Sequence, residues 1–97
     1  MFGLIGKMRA APGKRNELIA ILAESTGAMP GCKSYVVAED ASDPDGIWIT
    51  EVWDTEADHK ASLQRPEVRA AITKAMPLIA GFDTSVKTKP VAGVSSN

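Results

Sequence analysis

The chain holds a single histidine, His59. An imidazole ordinarily titrates close to neutrality, so it can take or give a proton at physiological pH, as removal of a phenolic proton requires. Six positions before it stands Trp53, and two before that Glu51. If residues 47–53 (IWITEVW) are a strand, alternation puts Glu51 and Trp53 on one face with Ile47 and Ile49, and Trp48 on the other face with Thr50 and Val52. A carboxyl on a buried face has two uses. It pairs with a base, for which Lys7 and Arg9 are the candidates and which is the plainer reading, or it keeps a raised pKa and orients a histidine. Trp53 can stack a planar ligand or simply fill the core. On a helix, His59 shares a face with Ser62 and Leu63, flanked by Glu56 and Lys60. Leu63 is expected to turn into the core, which turns His59 partly inward. The plainer alternative for His59 is a structural imidazole at the helix edge.

Around these residues the order of elements is readable. Residues 2–10 alternate, with Phe2, Leu4, Gly6 and Met8 against Gly3, Ile5, Lys7 and Arg9, and read as a strand. Ala11-Pro12-Gly13-Lys14 breaks it. Leu18, Ile21, Leu22 and Ser25 then follow helical spacing, with Gly27 as the stop. Residues 32–40 read as a second strand. Ser42-Asp43-Pro44-Asp45-Gly46 is a tight loop leading into the third, residues 47–53. Asp54 and Thr55 are both good N-caps, and Thr55 with Asp58 resembles a capping box. That helix is predicted to run to about Gln64. Pro66 suits the first turn of another, with Val68, Ile72, Ala75 and Met76 on one stripe and Pro77 limiting its end. Residues 82–88 close as a fourth strand. The order β-α-β-β-α(α)-β is the split βαβ, α+β ferredoxin-like arrangement with an antiparallel sheet. Residues 1–89 form the domain and 90–97 a tail or exchanging arm.

Such a sheet carries helices on one face only, yet the second and third strands are apolar on both: Tyr35 and Val37 against Val36 and Ala38, Ile47 and Ile49 against Trp48 and Val52. An apolar face of that size is not left to water. The expected solution is a homodimer through the sheet face.

Composition excludes several classes. With 97 residues the chain is one domain, and a net charge of −1 argues against nucleic acid as a partner and against a polybasic membrane anchor. No uncharged run is long enough to span a bilayer, and Lys7 and Arg9 interrupt the N-terminal apolar stretch that a signal peptide needs. The single cysteine, Cys32, excludes an intrachain disulfide framework and a cysteine metal site. The expectation is a cytoplasmic protein that binds neither nucleic acid nor membrane. Gly3 and Gly6 are not followed by the Lys-Ser/Thr of a phosphate loop. Met8, Met29 and Met76 read as packing, and Tyr35 as core or interface.

Three patches, taken in order, resemble the antibiotic biosynthesis monooxygenase family: Ala11-Pro12-Gly13-Lys14, Met29-Pro30-Gly31-Cys32-Lys33-Ser34-Tyr35, and Glu51-Val52-Trp53-Asp54. The resemblance covers about residues 2–90. It implies a dimeric α+β barrel with a pocket between sheet and helices in each subunit. It also implies oxygenation of phenolic or quinol substrates without flavin, haem or metal. In the family's polyketide-tailoring members a strand-three tryptophan precedes a helix-two tyrosine by six residues, and an asparagine stands four before the tryptophan. Trp53 matches; His59 stands in place of the tyrosine and Ile49 in place of the asparagine. Ser62 and Ile72 stand where haem-degrading relatives carry a tryptophan and a histidine, which argues against haem handling.

The resulting expectation is a cofactor-independent monooxygenase acting with dioxygen on a quinol, anthrone or similar phenolic aromatic. His59 is its catalytic residue, and Trp53, Glu51, Ile49 and Leu63 surround the substrate, with no metal and no cofactor. A cofactor-free isomerase on the same scaffold and a non-enzymatic dimeric ligand-binding module are the alternatives.

Overall fold

The computed structural model describes residues 1–24 and 29–93. Its elements are β1 (Phe2–Ala10), α1 (Arg15–Glu24), β2 (Cys32–Glu39), β3 (Gly46–Trp53), α2 (Glu56–Ser62), α3 (Pro66–Ala75), a 3₁₀ turn (Met76–Leu78) and β4 (Ile79–Thr88). This is the expected α+β ferredoxin-like order. The four strands form one antiparallel sheet in the order β2-β3-β1-β4. The expected roles of Ser25 and Gly27 at the end of the first helix lie outside the described residues.

Local chemistry accounts for the joints. Gly13 turns the chain out of β1 at φ +77°, a conformation that costs a side chain-bearing residue strain and glycine none. Thr55, extended at φ −142°, caps α2: its Oγ1 accepts the backbone N–H of Asp58 at 3.1 Å. Pro66 occupies the first turn of α3, where its missing N–H costs nothing.

The core lies between the sheet and α1/α3. Leu18 and Ile47 are fully buried and pack with Ala10, Ile49 and Ala75. The helix-facing side of the sheet carries Phe2, Leu4, Gly6 and Met8 of β1 beside Ile47, Ile49, Glu51 and Trp53 of β3, in direct cross-strand register. The alternation expected for these strands is therefore observed.

Three expectations need correction. The stripe of α3 is Val68, Ala71 and Ala75; Ile72 and Met76 are exposed, because the small alanines let α3 approach the core closely and rotate those two outward. Strand β4 begins at Ile79 and not at residue 82, since Ile79 already pairs with Ala10. Helix α2 ends at Ser62, two residues early, and Leu63 becomes its C-cap.

The helix-free face carries Trp48, Lys7 and Arg9, with Val36 and Val86 about half exposed. Trp48 Nε1 donates to Asp40 Oδ2 at 2.7 Å. Backbone N–H groups of Asp43 and Ser42, together with that indole, hold the Asp40 carboxyl well below the usual carboxylate range. Lys7 Nζ sits among Asp43, Asp40 and Asp83 at 3.3, 3.6 and 3.8 Å. Beyond β4, Pro90 lies over Gly3, where an added Cβ would meet the Thr88 side chain and Pro90 Cγ. Among the described residues no helix is long and apolar enough to cross a membrane.

Candidate active site

Trp53 is the last residue of β3, and Thr55 starts α2 two residues later, so the chain turns back over the strand it has just left. That reversal brings His59 onto Trp53. The His59 ring meets the Trp53 ring edge-on, with centroids 5.5 Å apart, and lies tilted against Phe2 at 5.6 Å. Phe2 and Trp53 are themselves cross-strand partners, so the two rings form a platform under the imidazole. Trp53 is 1% exposed.

Glu51, two residues up the same face, is the acid of this cluster. Trp53 Nε1 donates to Glu51 Oε1 at 3.0 Å, and His59 Nε2 stands 3.7 Å from the same oxygen. Burial raises the Glu51 carboxyl above its ordinary value, while the indole N–H and His59 pull it down. Opposite Glu51 on β2 is Tyr35, whose phenol is pushed up to about 12 by burial and by the nearby Glu51 and Cys32. Burial also raises the Cys32 thiol, whose Sγ donates to the Ser34 carbonyl.

The partner expected for Glu51 is therefore corrected. Lys7 and Arg9 do not reach it, because Lys7 is paired with Trp48 in the β1–β3 register and points to the helix-free face. Arg9 Nε instead binds Asp83 Oδ1 at 2.9 Å. Leu63 needs a second correction. At 40% exposure it does not turn into the core. The early end of α2 gives the buried place to Ser62, whose Oγ donates to the His59 carbonyl at 2.6 Å.

Next to the cluster is a cavity of about 380 Å³. Its floor is the middle of the sheet, Leu4, Gly6 and Met8 with Ile49 and Glu51, and its far wall is Phe82 and Ser85 of β4. Helices α1 and α3 cover one end of the sheet and α2 the other, which leaves this middle open. The lining is largely apolar, with Glu51 and Ser85, together with Lys7 and Thr84, as its polar residues. Of the five candidates, Ile49 and Glu51 line it. Trp53 and His59 stand beside Glu51 outside the lining, and Leu63 is in neither place.

Phe82 and Ser85 had no signal in simple alternation. A bulge in β4 lets Met8 pair with Phe82 while Lys7 pairs with Thr84, so residues three apart come to one face. Gly6 carried a signal of another kind, a residue without a side chain on the inward face of a strand. Among the described residues no group of three or more His, Cys, Asp or Glu is arranged to hold a metal ion.

The model of the antibiotic biosynthesis monooxygenase family matches residues 1–74. A crystal structure from Chloroflexus aurantiacus, provisionally named an antibiotic biosynthesis monooxygenase, is 60% identical. It superposes at a TM-score of 0.93, over 96% of this chain and 95% of that one. A Deinococcus radiodurans structure with the same provisional name is 26% identical at a TM-score of 0.77, covering 97% and 96%. A Pseudomonas aeruginosa structure, 20% identical at 0.82 and covering 94% of each chain, shares the fold. No protein of curated function matches.

Proposed function

Because this chain belongs to the antibiotic biosynthesis monooxygenase family, we propose that it is a monooxygenase that inserts dioxygen-derived oxygen into a quinol, anthrone or similar phenolic aromatic. The observation that carries the reading is the Glu51–His59 pair at the wall of an otherwise largely apolar cavity. The pair supplies a base, and the cavity positions a planar ring against it.

In this chemistry the substrate is its own electron donor. Loss of the hydroxyl proton makes the ring electron-rich, and the anion passes one electron to dioxygen. Superoxide and the substrate radical then recombine, forming a carbon–oxygen bond. The peroxide takes up a proton from solvent, and loss of water leaves a carbonyl on that carbon. One atom of dioxygen ends in the product and the other in water. The protein's work is to position, to deprotonate and to keep the radical pair together.

The test is dioxygen uptake by metal-stripped protein with a panel of hydroquinones and anthrones, in wild type and His59→Ala. Protein-dependent uptake that falls by about two orders of magnitude in the variant is expected if the Glu51–His59 pair handles the substrate proton. Turnover that persists without dioxygen points to a proton-transfer isomerase instead, and binding without turnover points to a ligand-binding module.

The same reading includes a homodimer. Val36, Trp48 and Val86 give the helix-free face an apolar strip beside the Lys7 and Arg9 ion pairs, and a second copy packed on it would take that strip out of water. Sedimentation that finds a monomer at micromolar concentration overturns this part of the proposal.

A further inference from the structure

The pair at the cavity wall is not symmetric. Glu51 is part of the lining; His59 is not, although its side chain is 17% exposed. The exposed part of the imidazole therefore lies outside the cavity lining. Both contacts of Glu51 use Oε1, which accepts the Trp53 N–H and faces His59 Nε2. Oε2 takes no hydrogen bond among the described residues, and no side-chain oxygen there is both sealed from solvent and unpartnered. The free oxygen of Glu51 is thus accessible beside the cavity, and the bonded one is turned toward the histidine.

We infer that Glu51, and not His59, takes the proton from the bound phenol, and that His59 carries that proton from Glu51 to the solvent side. The assignment rests on the phenol-oxygenating reading above and sets the order of the two groups within it. In the first step the substrate O–H bond breaks, its electron pair stays on the phenolate oxygen, and the proton bonds to Oε2. The carboxyl then turns about its terminal torsion, which is soft in glutamic acid, and hands the proton to Nε2. This restores the carboxylate and leaves an imidazolium that loses its proton to buffer. The 3.7 Å gap between Oε1 and Nε2 must close by roughly 1 Å for transfer, as catalytic contacts commonly tighten on ligand binding.

The surroundings favour Glu51 as the proton acceptor. The titratable groups around Glu51 are His59 from α2 and Tyr35 and Cys32 from β2; Leu4 is its neighbour on β1, and Lys87 on β4 is engaged by Glu56 at 2.8 Å. Burial raises the Glu51 carboxyl above its ordinary value, which makes its carboxylate a stronger proton acceptor than a solvated one. Tyr35 stays protonated and does not compete for the proton.

The experiment uses 4-nitrophenol, whose anion alone absorbs in the visible, and titrates the bound probe in wild type, Glu51→Gln and His59→Gln. A carboxylate that accepts the probe's hydroxyl holds the probe neutral. Removing it lowers the bound probe's ionisation midpoint by about one pH unit or more, whereas removing the more distant imidazole moves it by less than half as much. The reverse order of effects, or equal effects, overturns the assignment. The Glu51→Gln change keeps an acceptor for the Trp53 N–H, and unchanged circular dichroism of both variants guards against misfolding. A wild type that fails to bind the probe overturns the phenol reading, and this assignment with it. In the uptake assay, added imidazole is expected to restore His59→Ala and not Glu51→Gln. Failure to restore His59→Ala overturns the relay role.

Discussion

Trp53 and Glu51, two residues apart on β3, are joined by a 3.0 Å hydrogen bond in which the indole N–H donates to Oε1. The bond is local in sequence and lies at the centre of the site. It satisfies a buried donor and orients a buried acid, and it favours the charged form of the carboxyl. Trp53→Phe removes the donor while keeping a ring. The Glu51 carboxyl then rises further, and the acid limb of the uptake pH profile moves to higher pH. Loss of the bond and of buried volume costs about 1–3 kcal/mol in denaturant unfolding. An acid limb that stays in place shows that the indole does not tune the carboxyl.

Glu51→Gln has a stability signature opposite to that of most ion-pair mutations. The folded carboxyl titrates above its unfolded value, so between those two values the native state binds more protons than the unfolded one. Stability contributed by the protonated acid is full below the ordinary carboxylate range and is lost as pH rises through the raised value. The glutamine escapes that loss. Melting curves are expected to place the variant above wild type near pH 7–8 and to bring the two together as pH falls below about 4. A variant less stable at neutral pH contradicts burial as the dominant influence on Glu51.

Gly6 is the floor of the cavity and the place to close it. A Cβ built there meets only the Thr84 carbonyl oxygen, at an ordinary 3.5 Å. Gly6→Ala is expected to fold with stability within about 1 kcal/mol of wild type, since alanine suits a strand no worse than glycine. Gly6→Leu sends its branch into the cavity and weakens 4-nitrophenol binding about tenfold or more, a loss of about 1.4 kcal/mol upward. Retained affinity in a folded Gly6→Leu protein moves the ligand elsewhere.

Tyr35 reports the burial of the same wall at alkaline pH. Its phenol titrates near 12 in the folded protein against 10.0 ordinarily, so from pH 10 upward the unfolded chain ionises first. Wild type therefore loses about 2–3 kcal/mol across that window from this group, and Tyr35→Phe does not. The check is the difference between the two proteins in urea unfolding at about pH 9 and about pH 12, which cancels the common titration of the lysines. Equal slopes show that the phenol is solvated.

How much of this was legible in the residues depends on the range of the interaction. Alternation along β3 placed Glu51, Trp53, Ile49 and Ile47 on one face, and Thr55 marked the start of α2, because both are set by geometry within a few residues. Element order likewise determined the α+β ferredoxin-like topology, since four strands and their helices in that order admit few arrangements. Long-range pairing decided the rest. Glu51 took His59 and not Lys7 because the β1–β3 register sends Lys7 to the other face. Leu63 lost its inward place because α2 stopped early and buried Ser62. Phe82 and Ser85 came to the cavity only through a bulge in β4, where one unpaired residue reverses the alternation. Side-chain direction along a strand is local and therefore written in the chain; which face meets which partner depends on register, and register is a property of strands that are far apart in sequence.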